Sequence, residues 1–173
     1  IYMVMQELNL FPTLSISENL FFKRLSVRRH PVRARHNGKK GLIIDHAALR
    51  DLSRELLTRV GLNDINPDMP VSELGVGQQQ LLEIARVLDR PFRLLILDEP
   101  TAALTDPQID LLFEQIDVLR NRGCAILYIS HRMDEIRCIA DRVSGLRDGV
   151  CVATQPIADV NMDTLIRSMT SGD

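Results

Sequence analysis

The run Leu94-Leu95-Ile96-Leu97-Asp98-Glu99-Pro100 constrains this chain more than any other feature. Four consecutive apolar residues predict a buried strand, and the proline behind the two acids ends it. In open α/β sheets, ligands bind beyond the carboxyl ends of the strands. Two adjacent carboxylates emerging there are costly unless a cation or a proton lies between them. Asp98 therefore suits a magnesium ligand, directly or through water. Glu99 suits a base that orients or deprotonates an attacking water. A strand that merely ends in charged residues is the competing explanation, and for an isolated Asp-Glu pair it would win.

Two further segments weigh against that plainer explanation. The next expected strand, Ala125 to Ile129, runs into Ser130-His131. Parallel strands end on the same edge, so His131 is expected to face the same reaction volume as Glu99. About 20 residues before the acid pair, Leu74-Gly75-Val76-Gly77-Gln78-Gln79-Gln80 opens a helix. Small residues at a helix start leave backbone N–H groups free to meet an anion. Alone this is an ordinary glycine-containing cap; its place in the order makes it specific.

The remaining punctuation predicts an α/β domain with a parallel sheet. Tyr2 to Met5 reads as a strand stopping at Gln6. Ser15 and Glu18 form a capping box before a short helix through Leu20 to Phe22. A helix after an Asp45 N-cap carries Leu49, Leu52, Leu56 and Val60 on one face and stops at Gly61. A second runs from about Gly77 to Leu88. Asp106 and Pro107 start a third, with Ile109, Leu112, Ile116 and Leu119 inward and Gly123 as its stop. A short helix spans about Met133 to Ala140. Asp148-Gly149 joins the short strands Arg142 to Leu146 and Val150 to Ala153. A final helix begins near Asp163 and carries Leu165, Ile166 and Met169.

Composition narrows the function classes. Only 4% of the residues are aromatic and none is Trp, which disfavours a stacking platform for single-stranded nucleic acid. Between Asn19 and Ile44 there is no acid, and eight Lys or Arg occur there, with Pro31, Asn37, Gly38 and Gly41 among them. This stretch is expected to be a loop, a solvated insertion. A contact with anionic lipid headgroups is the alternative for it. Nucleic acid is not expected as a partner, because the rest of the chain is then strongly acidic and repels phosphate. Three cysteines without metal spacing fit free thiols in a reducing compartment. No apolar run approaches the roughly 20 residues of a membrane span.

Taken together, these segments resemble the ATP-binding-cassette ATPases. Val71 to Leu97 resembles their signature motif and Walker B strand. Ala103-Leu104-Thr105 is similar to the D-loop, His131 to the switch histidine and Gln6 to the Q-loop glutamine. The wording is most similar to the sugar-importer branch (ribose, xylose, galactose): Met5-Gln6-Glu7-Leu8-Asn9-Leu10, Gly77 to Gln80, and Ile129-Ser130-His131-Arg132-Met133-Asp134-Glu135-Ile136. The resemblance implies a P-loop NTPase-type parallel sheet with an inserted α-helical subdomain, incomplete at the N-terminus. Residues 1–173 would be a partial nucleotide-binding domain. Residues 10–90 would carry the helical signature subdomain, and 91–173 the Walker B, D-loop and histidine part of the core.

The same resemblance implies ATP and Mg2+ as cofactors. Glu99, His131 and Gln6 would be catalytic, with Asp98 and Gln6 at the metal. Leu74, Gly75, Val76, Gly77 and Gln78, with Ala103, Leu104 and Thr105, would meet ATP held by an opposite cassette. A membrane permease would dock on the helical subdomain. A second nucleotide-binding domain, fused or in a homodimer, would complete the sites, at the cytoplasmic face of the bacterial inner membrane. The intact acid pair and histidine fit the first of two fused cassettes, cut near Gly172.

Three departures from the family pattern stand out. No G-x-x-x-x-G-K-[ST] occurs in these residues. Either that part lies upstream of Ile1 or the chain does not work as an ATPase by itself. Gly75 stands where the signature serine is usual, so a hydroxyl aimed at the γ-phosphate is missing. Thr105 replaces the usual D-loop Asp, as is frequent in the sugar branch. Two alternatives to the importer ATPase are a truncated, non-catalytic interaction module and a non-transport cassette ATPase. Gln6 and the signature are about 70 residues apart with no heptad run, which disfavours the coiled-coil repair type.

Overall fold

The structure, a computed structural model, describes residues 1–5, 8–25, 33–36, 39–44, 46–88 and 90–170. It comprises two compact units, Ile1–Leu127 and Tyr128–Asp173, described in turn. Gln6 and Asp45 lie outside the described residues.

The first unit opens with β1 (Tyr2–Val4) and α1 (Ile16–Leu25). Both halves of the expected capping box form. Glu18 N–H donates to Ser15 Oγ at 3.1 Å, and Ser15 N–H donates to Glu18 Oε2 at 2.8 Å. The fully buried Asn19 ties the preceding turn to this helix. Its Oδ1 accepts from Phe11 N–H at 2.8 Å, and its Nδ2 donates to the Phe11 and Ser15 carbonyls, each at 3.0 Å.

The basic stretch corrects the loop expectation. Arg33–His36 (β2) and Lys39–Ile44 (β3) pair as antiparallel strands, Arg35 opposite Lys40 and His36 opposite Lys39. Glycine and basic residues favour a loop, but Leu42-Ile43-Ile44 is an apolar, β-prone run that favours a strand.

α2 (His46–Arg59) buries Leu49, Ser53, Leu56 and Leu57. Val60 just beyond it is also buried, but Leu52 is 36% exposed, against expectation. At about 100° per residue Leu52 lies at the margin of the stripe formed by positions 49, 53, 56 and 60. Ser53 takes the central place because its hydroxyl is satisfied, bonding Leu49 O at 2.8 Å and Ser17 Oγ at 2.9 Å. α3 (Val76–Leu88) follows and packs with α1 and α2.

β4 (Leu94–Asp98) lies parallel to β1, Val4 opposite Leu97. It is less buried than four apolar residues suggest. Leu95 and Leu97 are buried, whereas Leu94 and Ile96, on the other face, are half-buried. Alternation decides this: one face meets Ile84, Val87 and Leu88 of α3 and Leu112, Ile116 and Leu119 of α4 (Asp106–Asn121) in a common apolar interior. The inward set expected for α4, Ile109, Leu112, Ile116 and Leu119, is buried. Gly123 ends that stretch at φ +82°, where a side chain would be strained. β5 (Ala125–Ile129) completes the sheet order β1-β4-β5 as a terminal strand, with Leu127 51% exposed.

In the second unit α5 (Met133–Ile139) precedes the antiparallel pair β6 (Arg142–Arg147) and β7 (Val150–Pro156). Asp148 and Gly149 sit at φ +51° and +79°, the type I′ geometry their sequence predicts. α6 (Met162–Thr170) packs Leu165 on Val143. It comes so close to β6 that a Cβ on Gly145 would lie 2.9 Å from Leu165 Cδ1.

Candidate functional site

β4 delivers Asp98 as its last residue and Glu99 just past its carboxyl end, both half-buried. Glu99 adopts φ +47°, one of two positive-φ non-glycine residues among those described. An L-residue in that region costs roughly 1–2 kcal/mol, and such strain concentrates at functional positions. The chain turns directly afterwards. Ala102 N–H reaches the Glu99 carbonyl at 3.4 Å, Leu104 N–H reaches Thr101 O at 3.0 Å, and Pro100 and Thr101 are buried. This anchored turn leaves Ala102 and Ala103 exposed. Thr105 then starts α4, its N–H donating to Gln108 Oε1 at 3.0 Å.

The Leu74–Gln78 segment is built in the same unit. Leu74 is buried, while Gly75 and Val76 are exposed. Gly75 N–H donates to Gln78 Oε1 at 3.0 Å, and Gln79 Nε2 donates to Leu74 O at 2.9 Å. The Gly75 amide is thus already bonded. The helix-start amides that remain for an anion are those of Val76, Gly77 and Gln78, which have no carbonyl one turn earlier in α3.

The structure brings this helix start against the turn after β4. A Cβ built on Gly77 would lie 2.5 Å from the Ala103 carbonyl oxygen. Only glycine allows that approach, so Gly77 joins Leu74–Gln78 to Ala103–Thr105 within one chain. Sequence reasoning assigned both segments to one ligand and missed this contact between them. A glycine inside an otherwise good helix former is the signal that could have found it.

His131 follows β5 in the second unit, is exposed, and is flanked by Ser130 and Arg132. The first unit thus holds Asp98, Glu99, the signature-like helix start and the Ala103–Thr105 turn; His131 belongs to the second.

The donor set of the acid pair can be tested against the implied cation. Mg2+ takes hard oxygens, uses one or two carboxylates and keeps several waters. Asp98 and Glu99 supply two carboxylates, and among the described residues no group of three or more His, Cys, Asp or Glu gathers to cage a metal. Asp98 fits as the carboxylate that would hold Mg2+, with Glu99 beside it left for the water.

The first unit also contains a cleft of about 700 Å³, bordered by Met3, Leu8, Phe11, Phe22, Glu83 and Arg86. The Phe11 and Phe22 rings lie 4.5 Å apart and are 44% and 43% exposed. Arg86 is fixed by donating to Asn9 O at 2.9 Å and by pairing with the buried Glu83. Among the described residues no helix is long and apolar enough to cross a membrane.

Comparison with known proteins agrees with this architecture. A dimeric ATP-binding cassette in a post-hydrolysis state with ADP and Pi superposes with a TM-score of 0.69. It is 24% identical and is matched over 90% of this chain and 62% of its own. That likeness shows the fold. The ribose import ATP-binding protein RbsA of Chromobacterium violaceum is 46% identical over 169 residues, 98% of this chain and 31% of that protein. A putative ribose/galactose/methyl galactoside import ATP-binding protein of Burkholderia lata is 46% identical over 95% of this chain and 30% of its own length. RbsA 1 of Streptomyces coelicolor is 42% identical over 100% of this chain and 32% of its own. The chain spans about a third of the length of these curated relatives. The family described as ABC transporter matches residues 1–102, more than half of the sequence. The chain belongs to the ABC transporter family.

Proposed function

We propose that this chain forms part of the ATP-hydrolysing subunit that energises a carbohydrate importer at the cytoplasmic face of a bacterial inner membrane. The substrate class rests on the ribose and galactose import named for its relatives. The single observation that carries the chemistry is Glu99, a carboxylate held in a strained backbone conformation beside Asp98 at the end of β4.

In this mechanism Asp98 would hold Mg2+, with Gln6 assigned to the same cation by family resemblance. The ion supplies charge neutralisation on the phosphate oxygens of ATP. Glu99 accepts the proton of the attacking water and orients it. His131, in the second unit, is assigned the catalytic part of the switch histidine by family resemblance. Leu74 to Gln78 offer the exposed helix start, through the amides of Val76, Gly77 and Gln78, to ATP bound by a second nucleotide-binding domain. Ala103 lies beside it and is exposed, as is Thr105, while Leu104 between them is half-buried. Gly77 packs closely against the Ala103 carbonyl and joins the two segments.

The cleft bordered by Phe11, Phe22 and Arg86 suits a short amphipathic helix of a membrane permease. Two exposed rings offer it an apolar floor.

Glu99→Gln in the full-length subunit tests the chemistry. It keeps the shape and removes the base, so ATP hydrolysis should slow about 10²–10⁴-fold while ATP binding persists. Near wild-type turnover in that variant would remove Glu99 from the mechanism.

A further inference from the structure

The residues on both sides of His131 converge on one buried carboxylate. Glu135 is 4% exposed. Tyr128 Oη donates to its Oε2 at 2.7 Å, and Ser130 Oγ donates to the same oxygen at 3.1 Å. Arg132 Nη1 pairs with its Oε1 at 2.7 Å. Ser130 Oγ in turn accepts from the Arg132 N–H at 3.0 Å, closing a tight turn around position 131. These donors come from residues 128, 130 and 132, which alternate with and bracket the histidine, and all lie in the second unit.

Burying a carboxylate is costly unless charged and hydrogen-bonding partners surround it. Here the segment that carries His131 supplies those partners. A plainer role is available, since an acid in the first turn of a helix is favoured by its dipole. The exposed Asp134 meets that preference just as well, without burial. The dipole leaves unexplained why Glu135 is turned inward and reaches back to β5 and to the turn.

We infer that Glu135 is a positioning residue that fixes the turn presenting His131. His131 is itself exposed, and the turn that carries it is tied to Glu135 on both sides. The carboxylate clamps the chain on either side of the histidine. Misplacing a reacting group by about 1 Å can cost on the order of 10²-fold in rate. This role rests on the catalytic part assigned to His131 above.

A double-mutant cycle in the full-length subunit, assembled with its permease, tests it. Glu135→Ala, His131→Ala and the double variant are compared for kcat, KM and binding of a non-hydrolysable ATP analogue. Glu135→Ala is expected to lower kcat about 10²-fold with nucleotide affinity retained. In the His131→Ala background it should lower kcat no further, because it acts through that histidine. Glu135→Gln keeps one acceptor oxygen but loses the pair with Arg132, so its kcat should fall between the wild type and Glu135→Ala. Should the alanine variant fail to fold, the glutamine variant carries the same cycle. Unchanged kcat overturns the inference. So does an equal loss in both backgrounds, which marks a merely structural residue. Full turnover by His131→Ala sinks the catalytic assignment of the histidine, and the positioning role with it. That failure is read from a variant in which Glu135 is intact.

Discussion

At the residue scale, two glycines two positions apart differ in what they permit. Gly75 has room: a Cβ there would meet only Gln78 Oε1, at 3.7 Å. Its N–H already bonds that side chain, which is half of a capping box. A serine hydroxyl would supply the other half by accepting from Gln78 N–H. Gly77 has no room, because the Ala103 carbonyl stands 2.5 Å from where its Cβ would be. Gly75→Ser should therefore leave stability unchanged or raise it by a few tenths of a kcal/mol. Gly77→Ala should lower it by about 1–3 kcal/mol, as overpacking does, or displace the Ala103–Thr105 turn. Urea unfolding of both variants separates the two cases. Equal stabilities would mean that the helix start and the turn are not held together. The position of the acid pair at the end of β4 was legible in the sequence because an apolar run leads straight into it. Glu135 was not, because its meaning lies in which side chains surround it, and Asp134-Glu135 reads as an ordinary acidic helix start.

At the scale of elements, strong periodicity and local punctuation were readable, while edges and margins were not. α4 shows its buried stripe and its Gly123 stop because every inward residue falls on one line of the helix. α2 misled at Leu52 because a serine with two satisfied hydrogen bonds occupies the centre of its buried face. The β2–β3 hairpin was hidden because basic residues and glycine are also what a loop would contain. β5 raises a related point. It is the terminal strand of its sheet, and Leu127 and Ile129 are 51% and 42% exposed. An apolar, β-prone edge of this kind invites pairing with another chain, and an edge lysine blunts it. In the 173-residue chain, Leu127→Lys should reduce self-association in light scattering. It should change stability by no more than about 0.5 kcal/mol, as an exposed substitution does. A loss of several kcal/mol on that variant would show that Leu127 is covered.

At the scale of the whole molecule, the two units differ in how much apolar surface each removes from water. Eight residues of α3 are buried, and three of them, Ile84, Val87 and Leu88, share one interior with residues of β1, β4 and α4. In the second unit the buried hydrophobic cluster consists of Val143 and Leu165, with Met133, Ile136, Ala153, Ile157, Val160 and Met169 only partly covered. Each fully buried aliphatic side chain contributes about 1.5–3 kcal/mol, so a core with two of them offsets little of the chain entropy lost on folding. Small units of this kind are marginal by themselves. Opening of the second unit should thus require less free energy than opening of the first. Native-state hydrogen exchange of the 173-residue chain across low denaturant concentrations measures this. Amides of β6 and β7 should exchange through a sub-global opening with a small denaturant dependence, while those of Leu81 to Leu88 in α3 should exchange only on global unfolding. Slow exchange confined to α3 would place the stable part of the chain in the unit that holds Asp98 and Glu99. It would leave the unit carrying His131 free to reorder without disturbing the acids. If β6 and β7 amides instead follow the global isotherm of α3, the two units unfold as one cooperative body, and the weaker-unit argument is wrong.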